Sequence, residues 1–271
     1  MNVFISADIE GIDGVMATTH QSTSGADYKL ACQWMTAEVN AAVEGAVEAG
    51  AARIVVKDAH NEGTNIELDK LHPSAELISG WGPLRSMVEG IDRSFDALFL
   101  IGYHARAMTA AGTLAHTWSS HVLEFTINGR PVGEVGWAAA FAGQFDVPLA
   151  LVTGDDALIA QAGQEVPSGF LHVVTKYGMG FTAARMRPMD QVREEIRLTA
   201  ARAVAKAGTL QAFKPQLPAT IRMRFRHWEG LDACAAVPNV ERISADTFEF
   251  RAADFIEAQK YFITLHRLAR P

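Results

Sequence analysis

The arrangement of the first 58 residues constrains the fold more than any other feature of the chain. An apolar run of strand length, NVFISAD (2–8), precedes an Ala- and Glu-rich stretch at 27–49 with apolar residues at helical spacing. A second apolar run, ARIVVKD, follows at 52–58. Gly50 is a helix stop. Strand, helix, strand at this length is a parallel crossover unit, because strands running the same way need a connection of a dozen residues or more. The alternation continues with strands at DALFLIG (96–102), VPLALVTG (147–154) and LHVVTK (171–176), and a long amphipathic helix at 188–207. Asn128-Gly129 between apolar stretches predicts a hairpin whose second arm Pro131 keeps short, and WAAAFAGQF reads as a buried helix.

The expected fold class is α/β, three-layer α/β/α with a largely parallel sheet, plus a smaller C-terminal α/β portion. GTLQAFKPQLPAT (208–220), with two prolines, is the expected linker. It divides residues 1–208 from residues 209–271, where IRMRFR, a helix-like stretch, ERISADTFEFRA and the helix DFIEAQKYFITLHRLAR form a second layer or an appendage to the main sheet.

A net charge of −7 and dispersed Lys and Arg exclude a general affinity for nucleic acid or anionic membrane. No apolar stretch reaches the length of a membrane span. The start, MNVFISADIEG, lacks the basic residues and long apolar core of a signal peptide, so the expected location is cytoplasmic. Cys32 and Cys234 lie far apart with no C-x-x-C pairing and are expected as free thiols.

In open α/β sheets, functional side chains gather where the carboxyl ends of the strands meet the following loops. The first strand ends in Asp8 and Glu10, backed by Gly11; the second in Asp58 and His60; the third in Tyr103, His104 and Arg106; the fourth in Asp155 and Asp156. Taken alone, SADIEG allows two readings: a strand that has already ended in solvated acids, or two carboxylates on one face that need a positive partner. Two histidines at equivalent strand ends favour the second, because carboxylate and imidazole suit zinc, manganese or cobalt. No H-E-x-x-H or C-x-x-C motif is present. Asp58 reads equally as a strand-end cap or as an orienting partner of an imidazole, and Asp155 and Asp156 as helix caps. Lys176 reads as a solvated lysine, or as a group meeting a substrate carboxylate or an oxyanion. His20, His72, His121, His172, His227 and His266 are read as structural or surface residues.

SADIEGIDGV, VKDAHNEGTN, LHPSAELISG, MVEGID, LFLIGYHARA, HTW and INGRPVGEVG, in this order, resemble the D-aminopeptidase family of zinc metallopeptidases. The resemblance is in register from residue 2 to about residue 176 and weaker beyond. Ser6, Asp8, Glu10 and Gly11 meet the family's S-x-D-x-E-G signature. It implies two zinc ions per chain held by Asp8, Glu10, His60, His104 and Glu134, with Asp8 bridging. Apart from the resemblance, Glu134 would be a carboxylate favoured by a helix N-terminus. His116 matches the family's remaining active-site histidine, an acid/base or nucleophile. One extra residue precedes it in AMTAAGTLA.

The implied activity is that of a binuclear zinc aminopeptidase hydrolysing the N-terminal residue of short peptides, with D-amino-acid preference. A ring-shaped homo-oligomer, a homodecamer, is implied as well. Two alternatives remain: a binuclear metal-dependent amidase on non-peptide amides, and a non-catalytic metal-stabilised dipeptide-binding protein.

Overall fold

The computed structural model describes residues 1–269; the final residue of the predicted last helix, Arg270, lies outside them. In chain order the elements are β1 (Asn2–Ala7), α1 (Thr18–Gln21), α2 (Tyr28–Glu48), β2 (Arg53–Asp58), β3 (Ala75–Ile78), β4 (Ala97–Tyr103), β5 (Val122–Ile127), β6 (Arg130–Pro131), α3 (Glu134–Gly143), β7 (Leu149–Gly154), α4 (Asp156–Glu165), β8 (Leu171–Val174), β9 (Lys176–Gly180), β10 (Ala183–Met186), α5 (Met189–Lys206), β11 (Ala219–Phe225), α6 (Asp232–Ala235), β12 (Val240–Arg242), β13 (Thr247–Ala252) and α7 (Phe255–Leu268).

Six strands form a parallel sheet in the order β3-β2-β1-β4-β7-β8. The chain winds outward from β1 to β3 and then restarts on the other side at β4. The strand order therefore reverses between β1 and β4, and the crevice beyond their carboxyl ends is the topological switch point, where open α/β sheets place their ligands. β4 and β7 are buried at every position, as central parallel strands covered on both faces must be.

β1 shows how the two faces are divided. Val3, Ile5 and Ala7 enter a core with Met35 and Val39 of α2 and Ile196 of α5. Phe4, on the opposite face, packs edge-on against Phe95 at 5.1 Å and belongs to the core that contains α3 and α7. All ten residues of α3 are buried, because beyond it lie α7 and a second, antiparallel sheet in the order β12-β13-β11-β5-β6. Trp137 of α3 meets Phe255 and Phe262 of α7 there.

The predicted hairpin is β5–β6. Asn128 and Gly129 both take positive φ (51° and 76°), the backbone a two-residue hairpin turn demands, and the second arm is two residues long. The C-terminal strands do not extend the parallel sheet. β11 pairs with β5, so the hairpin and the tail share one sheet across the 208–220 connection.

Four strands depart from the sequence reading. β3 is a short edge strand of mixed burial with too little alternation to read. β9 and β10 form a hairpin after β8. The strand expected to run through Lys176 stops at Val174, and Lys176 instead opens β9. Both cysteines are buried free thiols. Among the described residues, no helix is long and apolar enough to cross a membrane.

Candidate metal centre at the sheet switch point

β1 ends at Ala7, so Asp8 and Glu10 stand in the loop after the strand, yet both are buried. Each half of the sequence question is thereby answered: the strand has ended, and the acids are not solvated. Gly11 makes the packing possible. A Cβ there would lie 1.8 Å from the Tyr103 carbonyl oxygen, so only glycine lets this loop press against the end of β4. The Gly11 amide donates to the Gly102 carbonyl at 2.7 Å, which brings Glu10 toward His104.

Lys176 fixes the same loop from beneath. Its fully buried ammonium donates to the carbonyls of Glu10, Ile12 and Val15 at 2.6, 2.7 and 2.5 Å. Neither sequence reading of Lys176 holds: it is not solvated, and its donors are spent on backbone rather than aimed at substrate. Burial pulls its pKa down to about 8 against the attraction of Asp155, Glu38, Asp13 and Glu10.

Asp58 orders the next loop. Its carboxylate accepts from the Ile66 amide at 2.7 Å and from the Asn65 side chain at 2.6 Å, closing the turn that presents His60. It organises backbone and does not touch the imidazole ring. Asp155 caps α4 through the Leu158 amide at 2.8 Å and also accepts from the Thr113 amide at 2.7 Å, which anchors the loop leading to His116.

The five predicted ligands and His116 converge. His60 Nδ1 lies 3.0 Å from Asp8 Oδ1 and 3.2 Å from Glu10 Oε2. On the other side, His104 Nε2 lies 3.4 Å from both Asp8 Oδ2 and Glu134 Oε1. The two oxygens of Asp8 thus face different groups, Asp8–Glu10–His60 and Asp8–His104–Glu134, and the potential ligand atoms within each lie inside 4.8 Å of one another. Glu134 is the first residue of α3. Helix start and cluster member are one position, since its Oε1 also accepts from the Trp118 amide at 2.6 Å. The His116 ring stacks on that of His104 with centroids 4.1 Å apart, and its Nε2 lies 3.9 Å from Glu10 Oε1.

Each imidazole is oriented by a backbone carbonyl. His60 Nε2 reaches Gln21 O at 2.8 Å, His104 Nδ1 reaches Ala105 O at 3.0 Å, and His116 Nδ1 reaches Leu114 O at 2.9 Å. A ring nitrogen that donates to a carbonyl leaves the other nitrogen with its lone pair, here directed at carboxylate oxygens. Lone pair facing lone pair is unfavourable unless a proton or a cation lies between.

The electrostatics agree. Burial works against a charged His60, but Glu10 and Asp8 overcome it and hold the imidazole pKa well above its usual value. His104 is raised likewise against its burial by Glu134 and Asp8. Burial would raise the Asp8 pKa, yet His104 and His60 hold it below the usual carboxylate range. Glu10 Oε2 and His104 Nε2 are buried without a hydrogen-bond partner. Three buried carboxylates that call for positive charge, with orphaned ligand atoms between them, fit divalent cations.

The cluster opens into a cleft of about 700 Å³ whose walls include Trp81, Arg85, His116, Phe181 and His266. His266, which the sequence reading set aside, reaches this cleft from α7, with its Nε2 2.9 Å from Ser119 Oγ. Arg85 also lines it, in a loop that no strand-end rule would have singled out.

A parallel α/β sheet with such a cluster at its switch point is the layout a metal-dependent hydrolase requires. The chain belongs to the D-aminopeptidase family (Peptidase_M55), whose model matches residues 1–264, and it is a peptidase. It is 31% identical over 270 residues to a D-aminopeptidase of Bacillus subtilis (strain 168), an alignment covering 99% of this chain and 98% of that protein. It also matches the solved structure described as Zn-dependent D-aminopeptidase DppA from Bacillus subtilis, a self-compartmentalizing protease. That match has a TM-score of 0.95 at 30% identity and covers 99% of this chain and 98% of the other.

Proposed function

We propose that the chain is a zinc aminopeptidase with two ions per chain, held by Asp8, Glu10, His60, His104 and Glu134, that removes the N-terminal residue of short peptides with a preference for D-residues. One observation carries the binuclear reading: Asp8 presents one oxygen to His60 and the other to His104. A carboxylate so placed would serve an ion on each side. Zinc is supported by the ligand types and by the Zn-dependent relative, and the D-preference by the family alone.

Two divalent ions held there would lower the pKa of water and polarise a carbonyl. The chain's own residues do the rest. A free N-terminal amine, as the neutral base, would be a donor to the ions that Asp8 and Glu10 help to hold. His116, fixed by the Leu114 carbonyl so that Nε2 faces the floor, holds the lone pair that takes a proton from the attacking water and passes it to the leaving amine. Trp81 and Phe181 wall the cleft. Self-association is part of the proposal. It draws on the relative described as self-compartmentalizing, and on Met179 and Phe181, exposed around the turn that joins β9 to β10.

The test is turnover of matched dipeptides by the zinc-loaded protein: D-Ala and L-Ala at the N-terminus, each free and N-acetylated. Free D-peptides are expected to be cleaved fastest and acetylated ones not at all, because acetylation removes the amine's charge and basicity. Equal turnover of blocked and free substrates would favour the amidase alternative. Metal binding without turnover would favour the binding protein.

A further inference from the structure

Arg85 is a cation without a carboxylate partner, built into the wall of the catalytic cleft. Some arginines pair with carboxylates, as Arg53 does with Glu76, Arg106 with Glu165 and Arg222 with Glu249, while Arg185 lies over the Tyr177 ring. The half-buried guanidinium of Arg85 instead lies over the Trp81 ring, 5.3 Å from its centroid, and no carboxylate among the described residues pairs with it. The carboxylate of its own loop, Glu89, is spent on the amides of Gly82 and Leu84 at 3.0 and 3.2 Å.

The backbone beneath Arg85 is held in place at a cost. Its φ is +46°, a left-handed conformation that a long side chain rarely adopts. Gln259 of α7, fully buried, secures it by donating to the carbonyls of Leu84 and Arg85 at 3.0 and 3.3 Å, while its own oxygen accepts from the Trp137 indole at 2.7 Å. A disfavoured conformation, fixed from a buried residue and presenting an unpaired cation to the cleft, is a feature that folding alone does not require.

The cleft therefore carries the metal-holding cluster and, on its wall, two arginines, of which Arg267 is exposed and Arg85 is the half-buried one held over Trp81. An unblocked short peptide has the complementary groups, a basic amine for the metal-holding cluster at one end and a carboxylate for a guanidinium at the other. A guanidinium binds a carboxylate with two parallel hydrogen bonds, a geometry that a neutral amide cannot reproduce. Arg85 and the cluster line one cleft of about 700 Å³, so a short peptide can meet both features at once.

We infer that Arg85 binds the C-terminal carboxylate of the substrate, so that the enzyme selects very short peptides with a free C-terminus. This rests on the aminopeptidase reading above. The experiment compares kcat/KM of the zinc-loaded enzyme for D-Ala–D-Ala and for the same dipeptide as its C-terminal amide. Wild type is expected to prefer the acid by about 10- to 100-fold, the span of a charge-assisted interaction, mostly through KM. In Arg85→Met the ratio should fall toward unity, and Arg85→Lys should retain part of it. A wild type that handles acid and amide alike overturns the inference without any variant having to fold, as does an Arg85→Met enzyme that keeps the wild-type ratio. A wild type that cleaves neither peptide overturns the aminopeptidase reading, and this inference with it.

Discussion

His116 differs from the other two imidazoles of the cluster in how loosely it meets the carboxylates. Its Nε2 stands 3.9 Å from Glu10, whereas His60 approaches Asp8 to 3.0 Å. It is also the most accessible of the three, with about a quarter of its side chain exposed (23%). That placement suits the proposed proton exchange with substrate, although its ligand atom also lies within 4.8 Å of those of Glu10 and His104. His116→Ala is therefore expected to retain its metal and its fold while turnover falls by about 10²–10⁴-fold, the usual contribution of a general acid or base, with KM little changed. Metal analysis and steady-state kinetics on one preparation decide it. Loss of an ion would make His116 a ligand, and unchanged turnover would remove it from the mechanism. The sequence made His60 and His104 legible because both follow apolar strands. Glu134 and His116 stand at a helix start and in a loop, where residue type alone says little, and only the family pattern singled them out. Arg85 gave no signal at all, since neither its left-handed backbone nor its lack of a carboxylate partner can be read from an arginine in WGPLRSM.

At the scale of elements, the site depends on two loops held by charged groups far away in sequence. Lys176, at the start of β9, fastens the loop after β1 through three carbonyls, and Thr175 beside it donates to the Gly11 carbonyl at 2.6 Å. Lys176→Met would leave those buried carbonyls unsatisfied. The expected loss is about 3 kcal/mol or more, seen as a fall of several degrees in Tm together with weaker retention of metal through the displaced Glu10. An unchanged Tm would show that the loop stands without the ammonium. Such a role was hidden in the sequence because a buried lysine and a surface lysine look the same until the tertiary fold is known. The strands β1, β2, β4 and β7 were legible for the opposite reason: buried on both faces, they are nearly continuous apolar runs. β3 at the sheet edge and the β9–β10 hairpin bury less, and their patterns carry correspondingly less information.

At the scale of the whole molecule, the reversal of strand order between β1 and β4 gathers residues 8, 60, 104 and 134 into one place. The second sheet and α7 enclose α3, at whose first turn Glu134 stands. If Asp8 serves two ions at once, metal content will show it. Wild type, Asp8→Ala and Glu134→Ala should be loaded with zinc, dialysed identically and measured by elemental analysis alongside protein concentration. Wild type should hold about two ions per chain, as a shared-carboxylate centre requires. Glu134→Ala should lose chiefly one, and Asp8→Ala should lose both, because its carboxylate serves each side. A fully active wild type with a single ion, or an Asp8→Ala protein that keeps as much zinc as Glu134→Ala, would contradict the account.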